Sequence, residues 1–335
     1  MKIAVVGCGA VGSFYGAKLA RAGQDVHFLL RSDYDAVRRN GVSIRSAQGD
    51  FQVRPRCARS PEEIGPSDLV VIGLKTTAND AFPKLLPALV APHTAVLTLQ
   101  NGLGNEEQLA RLFGPEQIMG GLCFVCLNRV EPGLIHHLDH GQVVMGEFQR
   151  WPEPRTHDIA GIFRHAGIPC KVTANLAQTH WEKLVWNIPF NGLGVAAAAG
   201  KQMFASGQER EGLIAADAPV GACFSTEQLL AHPRWFELVR EVMLEVIAAA
   251  RALGLEVQPA LADKQIERTR TMGAYRASTL IDFERGLRLE LESLFFEPLR
   301  QAKAAKVPVP RLERLCAVLE RLDQLRSEAG VRIGG

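Results

Sequence analysis

The sequence predicts an α/β amino-terminal part built on a parallel sheet, followed by an all-helical carboxyl-terminal part, and three observations predict it. Short apolar runs alternate with helical segments over the first half of the chain; a glycine cluster stands where the first run meets the first helix; and no strand pattern follows "PCKVTAN". Strands alternating with helices at this spacing form parallel sheets covered on both faces. A length of 335 residues with 47% hydrophobic and 22% charged content is ordinary for a globular chain and long enough for two cored domains. The boundary is expected at 176/177, giving domains 1–176 and 177–335.

Taken in order, "KIAVVG" reads as a strand, "GSFYGAKLARAG" as a helix and "DVHFLL" as a second strand. "GVSIRS" and "FQVRPRC" read as an inserted hairpin. The alternation resumes with the strand "DLVVIGLK", helix "NDAFPKLLPALV", strand "AVLTLQNG", helix "NEEQLARLFG" and strand "IMGGLCFVCLN". "GLIHHLDHG" leading into "QVVMGEF" reads as antiparallel additions at one edge. Beyond residue 177 the pattern is long and helical, notably "RWFELVREVMLEVIAAARALG" and the stretch from Ala277 to Ala305. Within that stretch Ser278, Asp282 and Glu290, spaced by four and then eight, share one helical face. Lys201 to Ser225, rich in Gly, Ala and Ser, reads as a long loop or a broken helix pair.

A net charge of +2 with acids and bases intermixed gives no footprint for nucleic acid or an anionic membrane. No apolar run approaches a bilayer span, and Met1-Lys2 runs straight into a strand, so a cytoplasmic location and a small-molecule partner are expected. Seven cysteines scattered through apolar context suggest reduced thiols. Cys123 and Cys126 form a C-x-x-C without a second pair, and His136, His137 and His140 cluster near Asp139 without further ligands. Neither group points to a metal.

The strongest local signal is "GCGAVG". Gly7 permits a tight turn, Gly9 lets backbone approach a pyrophosphate and Gly12 lets the helix pack on the strand, while Cys8, Ala10 and Val11 supply backbone at the helix N-terminus. This is a dinucleotide-binding turn. Arg31 and Ser32 follow the second strand, where an acid would meet a ribose 2′-hydroxyl and an arginine a 2′-phosphate, so the expected cofactor is NADP(H). The alternative leaves Arg31 on the surface and gives the ribose to Asp33. Lys75 and Asn101, the latter followed by Gly102 and Gly104, stand at carboxyl ends of strands, on the same rim as the glycine turn. In "HWEKLVWNIPFN", Lys183, Asn187 and Asn191 recur every four residues on an otherwise apolar helix, and Pro189 is a place where a kink would swing Asn191. Such a stripe is either a solvated face or a site.

Together these residues resemble the ketopantoate reductase family, the 2-dehydropantoate 2-reductases, over nearly the whole chain: "GCGAVG", Arg31, the lysine of "GLKT", the asparagine of "QNGLG", the K-x-x-x-N-x-x-x-N of "KLVWNIPFN", and Ser278 followed twelve residues later by Glu290. The resemblance implies a Rossmann-type domain and a helical domain reducing a small 2-oxo acid with NADPH, within pantothenate and so coenzyme A biosynthesis. It implies Lys183 as proton donor, with Asn187, Asn191 and Ser278 on the substrate. It further implies Asn101 touching both cofactor and substrate, Glu290 near cofactor and lysine, and Cys126 giving a backbone contact to the cofactor. A second copy of the chain, as a homodimer, is the macromolecular partner allowed for. The chain departs from the family on the substrate side: "LELESLFFEP" keeps Glu290 but lacks the usual Asn-Gly, and Lys201 stands where many members have asparagine. The rivals are an NAD-dependent β-hydroxyacid dehydrogenase, disfavoured by Arg31, and a dinucleotide-sensing protein, which has no use for Lys183, Asn187, Ser278 and Glu290 together.

Overall fold

The computed structural model describes residues 1–200 and 221–333, with side chains described as far as Arg326. Lys201 and most of the expected loop or helix pair lie outside the described residues. The chain divides into two compact units, Met1–Thr179 and His180–Gly335.

In the first unit β1 (Lys2–Val6) turns into α1 (Ala10–Arg21) and β2 (Asp25–Leu29), followed by α2 (Tyr34–Asn40), β3 (Val42–Ser46), β4 (Phe51–Val53) and β5 (Arg56–Ala58). Next come α3 (Pro61–Ile64), β6 (Leu69–Ile72), α4 (Phe82–Leu85), β7 (Ala95–Thr98) and α5 (Asn105–Phe113). A pair of 14-residue strands, β8 (Ile118–Glu131) and β9 (Leu134–Glu147), then precedes α6 (Pro154–His165) and β10 (Cys170–Val172).

Strands β5, β2, β1, β6, β7 and β8 lie side by side in that order, every neighbouring pair parallel. This is the doubly wound order in which the chain reverses direction across the sheet at β1, and ligands of such sheets bind outside the carboxyl ends at that reversal. Alternate residues of β1 serve two cores. Ile3 and Val5 join a cluster with Phe14, Phe28 and Leu97, whereas Ala4 and Val6 join one with Phe82, Leu86 and Val96. Burial on both faces explains why these strands read as unbroken apolar runs.

Three expectations for the first unit need correcting. "FQVRPRC" is two strands rather than one: β4 pairs antiparallel with β3, while β5 pairs parallel with β2 at the opposite edge. Pro55 stands between them without an N–H to continue a ladder. "NDAFPKLLPALV" forms no long helix; a 3-10 segment Thr76–Ala81 and the single turn of α4 replace it, in a segment carrying Pro83 and Pro87. The strand at 134–147 is not an edge: β9 pairs antiparallel with β8 along its length, and its other side takes β3 at Leu134–His137 and β10 at Val143–Met145, both parallel.

α7 (Leu176–Ala196) carries the chain into the second unit, which is all-helical among the described residues: α8 (Thr226–Ala231), α9 (Pro233–Ala252), α10 (Ala260–Arg270), α11 (Ser278–Glu284), α12 (Glu297–Ala304) and α13 (Pro310–Ile333). α9 packs against α8, α10, α12 and α13, burying Trp235, Leu238, Val242, Met243 and Val246. The expected helix from Ala277 to Ala305 is broken. α11 ends at Glu284, where Gly286 adopts φ +70°. The Leu287 N–H then bonds to the Asp282 carbonyl at 2.9 Å and the Gly286 N–H to the Phe283 carbonyl at 3.1 Å, the pair of contacts of a glycine-terminated helix end. The chain runs without regular secondary structure to Glu290, makes a π-turn at Glu292–Phe296 and only then enters α12. Ser278 and Glu290 therefore do not share a helix.

Candidate functional site

The carboxyl ends of β1, β2, β6 and β7 lead into four of the expected cofactor segments. Gly7 has φ +93°, and a Cβ there would sit 2.3 Å from the Leu74 backbone nitrogen. A Cβ on Gly12 would lie 2.3 Å from the Gly7 carbonyl oxygen, so both positions require glycine. Gly9 differs: a Cβ there meets nothing within 4 Å. Gly9 is also the N-cap of α1, with no side chain capping the helix. The open space therefore borders the N–H groups of Ala10 and Val11 at the positive end of the helix, a setting that suits a pyrophosphate. Burial pushes the Cys8 thiol well above its ordinary pKa, with Cys57 and Asp33 adding to the effect. It remains a neutral thiol beside the turn.

Beyond β2, Arg31 is exposed and makes no hydrogen bond or ion pair with a described residue. Asp33 is only 6% exposed and fully engaged. Arg129 of β8 donates from Nε to its Oδ2 at 3.0 Å and from Nη2 to its Oδ1 at 2.6 Å, and Ser32 Oγ donates to Oδ1 at 2.9 Å. The carboxylate that would bind a ribose diol is thus committed inside the protein, while the guanidinium that suits a 2′-phosphate is in solvent.

Lys75 is exposed at the start of the 3-10 segment after β6, and Asn101 is half-buried after β7, followed by Gly102 at φ +86°. Around them runs a row of buried polar side chains that sequence reading passed over. Thr98 Oγ1 donates to Gln100 Oε1 at 2.9 Å, Gln100 Nε2 to Asn79 Oδ1 at 2.8 Å, Asn79 Nδ2 to Asn105 Oδ1 at 2.9 Å, and Asn105 Nδ2 to the Asn101 carbonyl at 3.1 Å. Cys126 is buried on β8 opposite Asp139 of β9.

In the second unit, Lys183, Asn187 and Asn191 lie on α7, which continues as a helix through Pro189. Lys183 is half-buried, Asn187 is 7% exposed and Asn191 3%. A solvated stripe would be exposed; this one is not. The Asn187 side chain makes no hydrogen bond with a described residue, so its amide retains its hydrogen-bonding capacity. Asn191 Oδ1 accepts from Ser278 Oγ at 3.2 Å and from the Thr279 N–H at 3.1 Å. Because Ala277, the N-cap of α11, has no side-chain acceptor, Asn191 supplies one from another helix and leaves its Nδ2 hydrogens for another partner. The structure thereby joins Ser278 to the stripe, while Glu290 lies half-buried in the irregular segment before the π-turn. Gly192 marks a close approach: a Cβ there would sit 2.8 Å from Phe295 of that turn and 2.7 Å from Leu315.

The sequence matches the family model described as ketopantoate reductase PanE/ApbA over residues 3–150 and the model of its C-terminal part over residues 215–323. The chain belongs to the ketopantoate reductase family. This is a family of oxidoreductases. A 2-dehydropantoate 2-reductase of Nostoc sp. is 37% identical over 328 residues, covering 96% of this chain and 95% of the relative. The crystal structure of a 2-dehydropantoate 2-reductase from Geobacter metallireducens is 44% identical, with a TM-score of 0.86, covering 96% of this chain and 99% of that one. Another, from Methylococcus capsulatus, is 31% identical with a TM-score of 0.85 and covers 98% of each chain. Against the ketopantoate reductase pattern, Arg129, Asn79, Gln100 and Asn105 went unread. Gln100 and Asn105 flank Asn101 in "LQNGLGN" and were open to notice as a cluster of amides, but nothing local marks Asn79 or Arg129 as their companions.

Proposed function

We propose that the chain reduces 2-dehydropantoate, or a closely related small 2-oxo acid, to the 2-hydroxy acid at the expense of NADPH, in pantothenate biosynthesis. The observation that carries this reading is the largely buried polar stripe of α7, with the Asn187 side-chain amide making no hydrogen bond with a described residue. An amide set on an otherwise enclosed helix face with no partner among the described residues suits a ligand with its own polar groups. The likeness to named 2-dehydropantoate 2-reductases supports the same substrate class.

The space beside Gly9 and the exposed Arg31 fit a dinucleotide carrying a 2′-phosphate, which Gly7, Cys8, Gly9, Ala10, Val11 and Gly12 would bind by backbone and Arg31 by charge. When bound, NADPH supplies the hydride. Lys183 stabilises the negative charge that grows on the carbonyl oxygen and delivers the proton to it. Asn187, the Nδ2 group of Asn191 and the hydroxyl of Ser278 orient the substrate without adding a competing charge. Asn101, Lys75, Cys126 and Glu290 are assigned to the cofactor side, with Asn101 also meeting substrate and Glu290 supporting Lys183.

A panel of 2-oxo acids at fixed NADPH, followed by loss of NADPH absorbance, tests the assignment. The expected result is the highest kcat/KM for 2-dehydropantoate. Tight NADPH binding without turnover of any 2-oxo acid would sink it.

A further inference from the structure

We propose that Thr98, Gln100, Asn79 and Asn105 act as a positioning relay for Asn101, holding the loop after β7 in register with the segment after β6. The proposal rests on the cofactor role given above to Asn101 and Lys75. Its observation is the one-way row of hydrogen bonds: Thr98 Oγ1 to Gln100 Oε1, Gln100 Nε2 to Asn79 Oδ1, Asn79 Nδ2 to Asn105 Oδ1, and Asn105 Nδ2 to the Asn101 carbonyl. All four side chains are buried, from 0% exposure at Asn105 to 7% at Asn79.

Each carboxamide in the row accepts at its oxygen and donates at its nitrogen, so the orientation of one amide dictates the next. The direction is set at the β7 end, where the Gln100 backbone N–H donates to Thr98 Oγ1 at 3.2 Å and so turns the hydroxyl's own hydrogen toward Gln100 Oε1. It is read out at the Asn101 carbonyl, which can only accept. Asn79 is the crossing point, because it belongs to the 3-10 segment that begins after Lys75 while its partners Gln100 and Asn105 belong to the other loop. Amides suit this work better than acids: a carboxylate in the row would bring a buried charge and would lack the donor that passes the orientation on. A loop after β7 with glycines at 102 and 104, both at φ +86°, has little conformational preference of its own, so its geometry has to be imposed by neighbours.

The test is Asn79→Asp. It keeps the volume and the acceptor for Gln100 but cannot donate to Asn105, which must rotate its amide and release the Asn101 carbonyl. Thr98→Val, of equal shape, removes the start of the row and serves if Asn79→Asp does not fold. NADPH Kd and kcat/KM are measured for wild type, each relay variant, Asn101→Ala and the combined variants, at a temperature where circular dichroism shows all of them folded. Asn79→Asp is expected to weaken NADPH by about tenfold and to have no further effect once Asn101 is alanine. A merely structural role gives fully additive losses in the double variants, and that result, or unchanged NADPH binding in Asn79→Asp and Thr98→Val, would overturn the proposal. A wild type that binds neither NADPH nor NADH overturns the functional reading instead, and the relay's role with it.

Discussion

Arg31 and Asp33 stand two residues apart after β2 and are used in opposite ways. Asp33 is closed off by the two-point contact with Arg129, whereas Arg31 reaches solvent with its guanidinium unengaged by described residues. Charge-assisted hydrogen bonds to a phosphate contribute about 1.5–3 kcal/mol each, so Arg31→Ala is expected to weaken NADPH by about tenfold to a hundredfold. NADH, lacking the phosphate, is expected to be nearly unaffected. The check is the Kd of both cofactors at fixed ionic strength, because salt screens the contact; equal losses for the two would assign Arg31 to the fold or the adenine. Arg31 was legible because its place after the second strand and its charge both carry meaning. The fate of Asp33 was not. Its partner lies on β8, and only the tertiary fold brings Arg129 to it.

Among the elements, α7 and α11 teach different lessons about reading periodicity. The four-residue recurrence of Lys183, Asn187 and Asn191 survives Pro189, since the helix continues through it. From Ser278 to Glu290 the same kind of spacing misleads, because Gly286 stops α11 before the face is complete. The sequence "FERGLRLE" held the clue: a glycine after a run of helix formers, with a leucine next, is a helix end as readily as a helix interior. Gly286→Ala is expected to lower stability by about 1 kcal/mol, the cost of a side chain at positive φ, measured as a drop in the urea midpoint at unchanged m-value. An unchanged or raised midpoint would show that the helix end tolerates another conformation. The capping of α11 by Asn191 could not be read, because the cap and the capped helix are far apart in the chain and the local N-cap, Ala277, carries no signal.

For the molecule as a whole, the alternation of strands and helices was enough to read a parallel sheet followed by helices, while the pairing of distant strands was not. β1, β6 and β7 have neighbours on both sides and apolar cover on both faces, whereas β4 and β5 are short edge strands. Hydrogen exchange followed by mass spectrometry is therefore expected to find the amides of β1, β6 and β7 slowest and those of β4 and β5 among the fastest strand amides. Equal protection of edge and centre would mean that the sheet opens only as a unit. The double partnership of β9 has a consequence for the newborn chain. β8 and β9 are neighbours in sequence and zip up locally, but β3 joins the rest of the sheet only through β9, with Ser43 opposite Leu134. At a synthesis rate of about 5–20 residues per second, the β3–β4 hairpin leaves the ribosome several seconds before the strand that receives it. During that wait its apolar residues, Val42 and Ile44, both fully shielded at the end, can reach α1 but not β9 or its Ile135. A chaperone that shelters nascent chains would have that unpaired strand edge to grip.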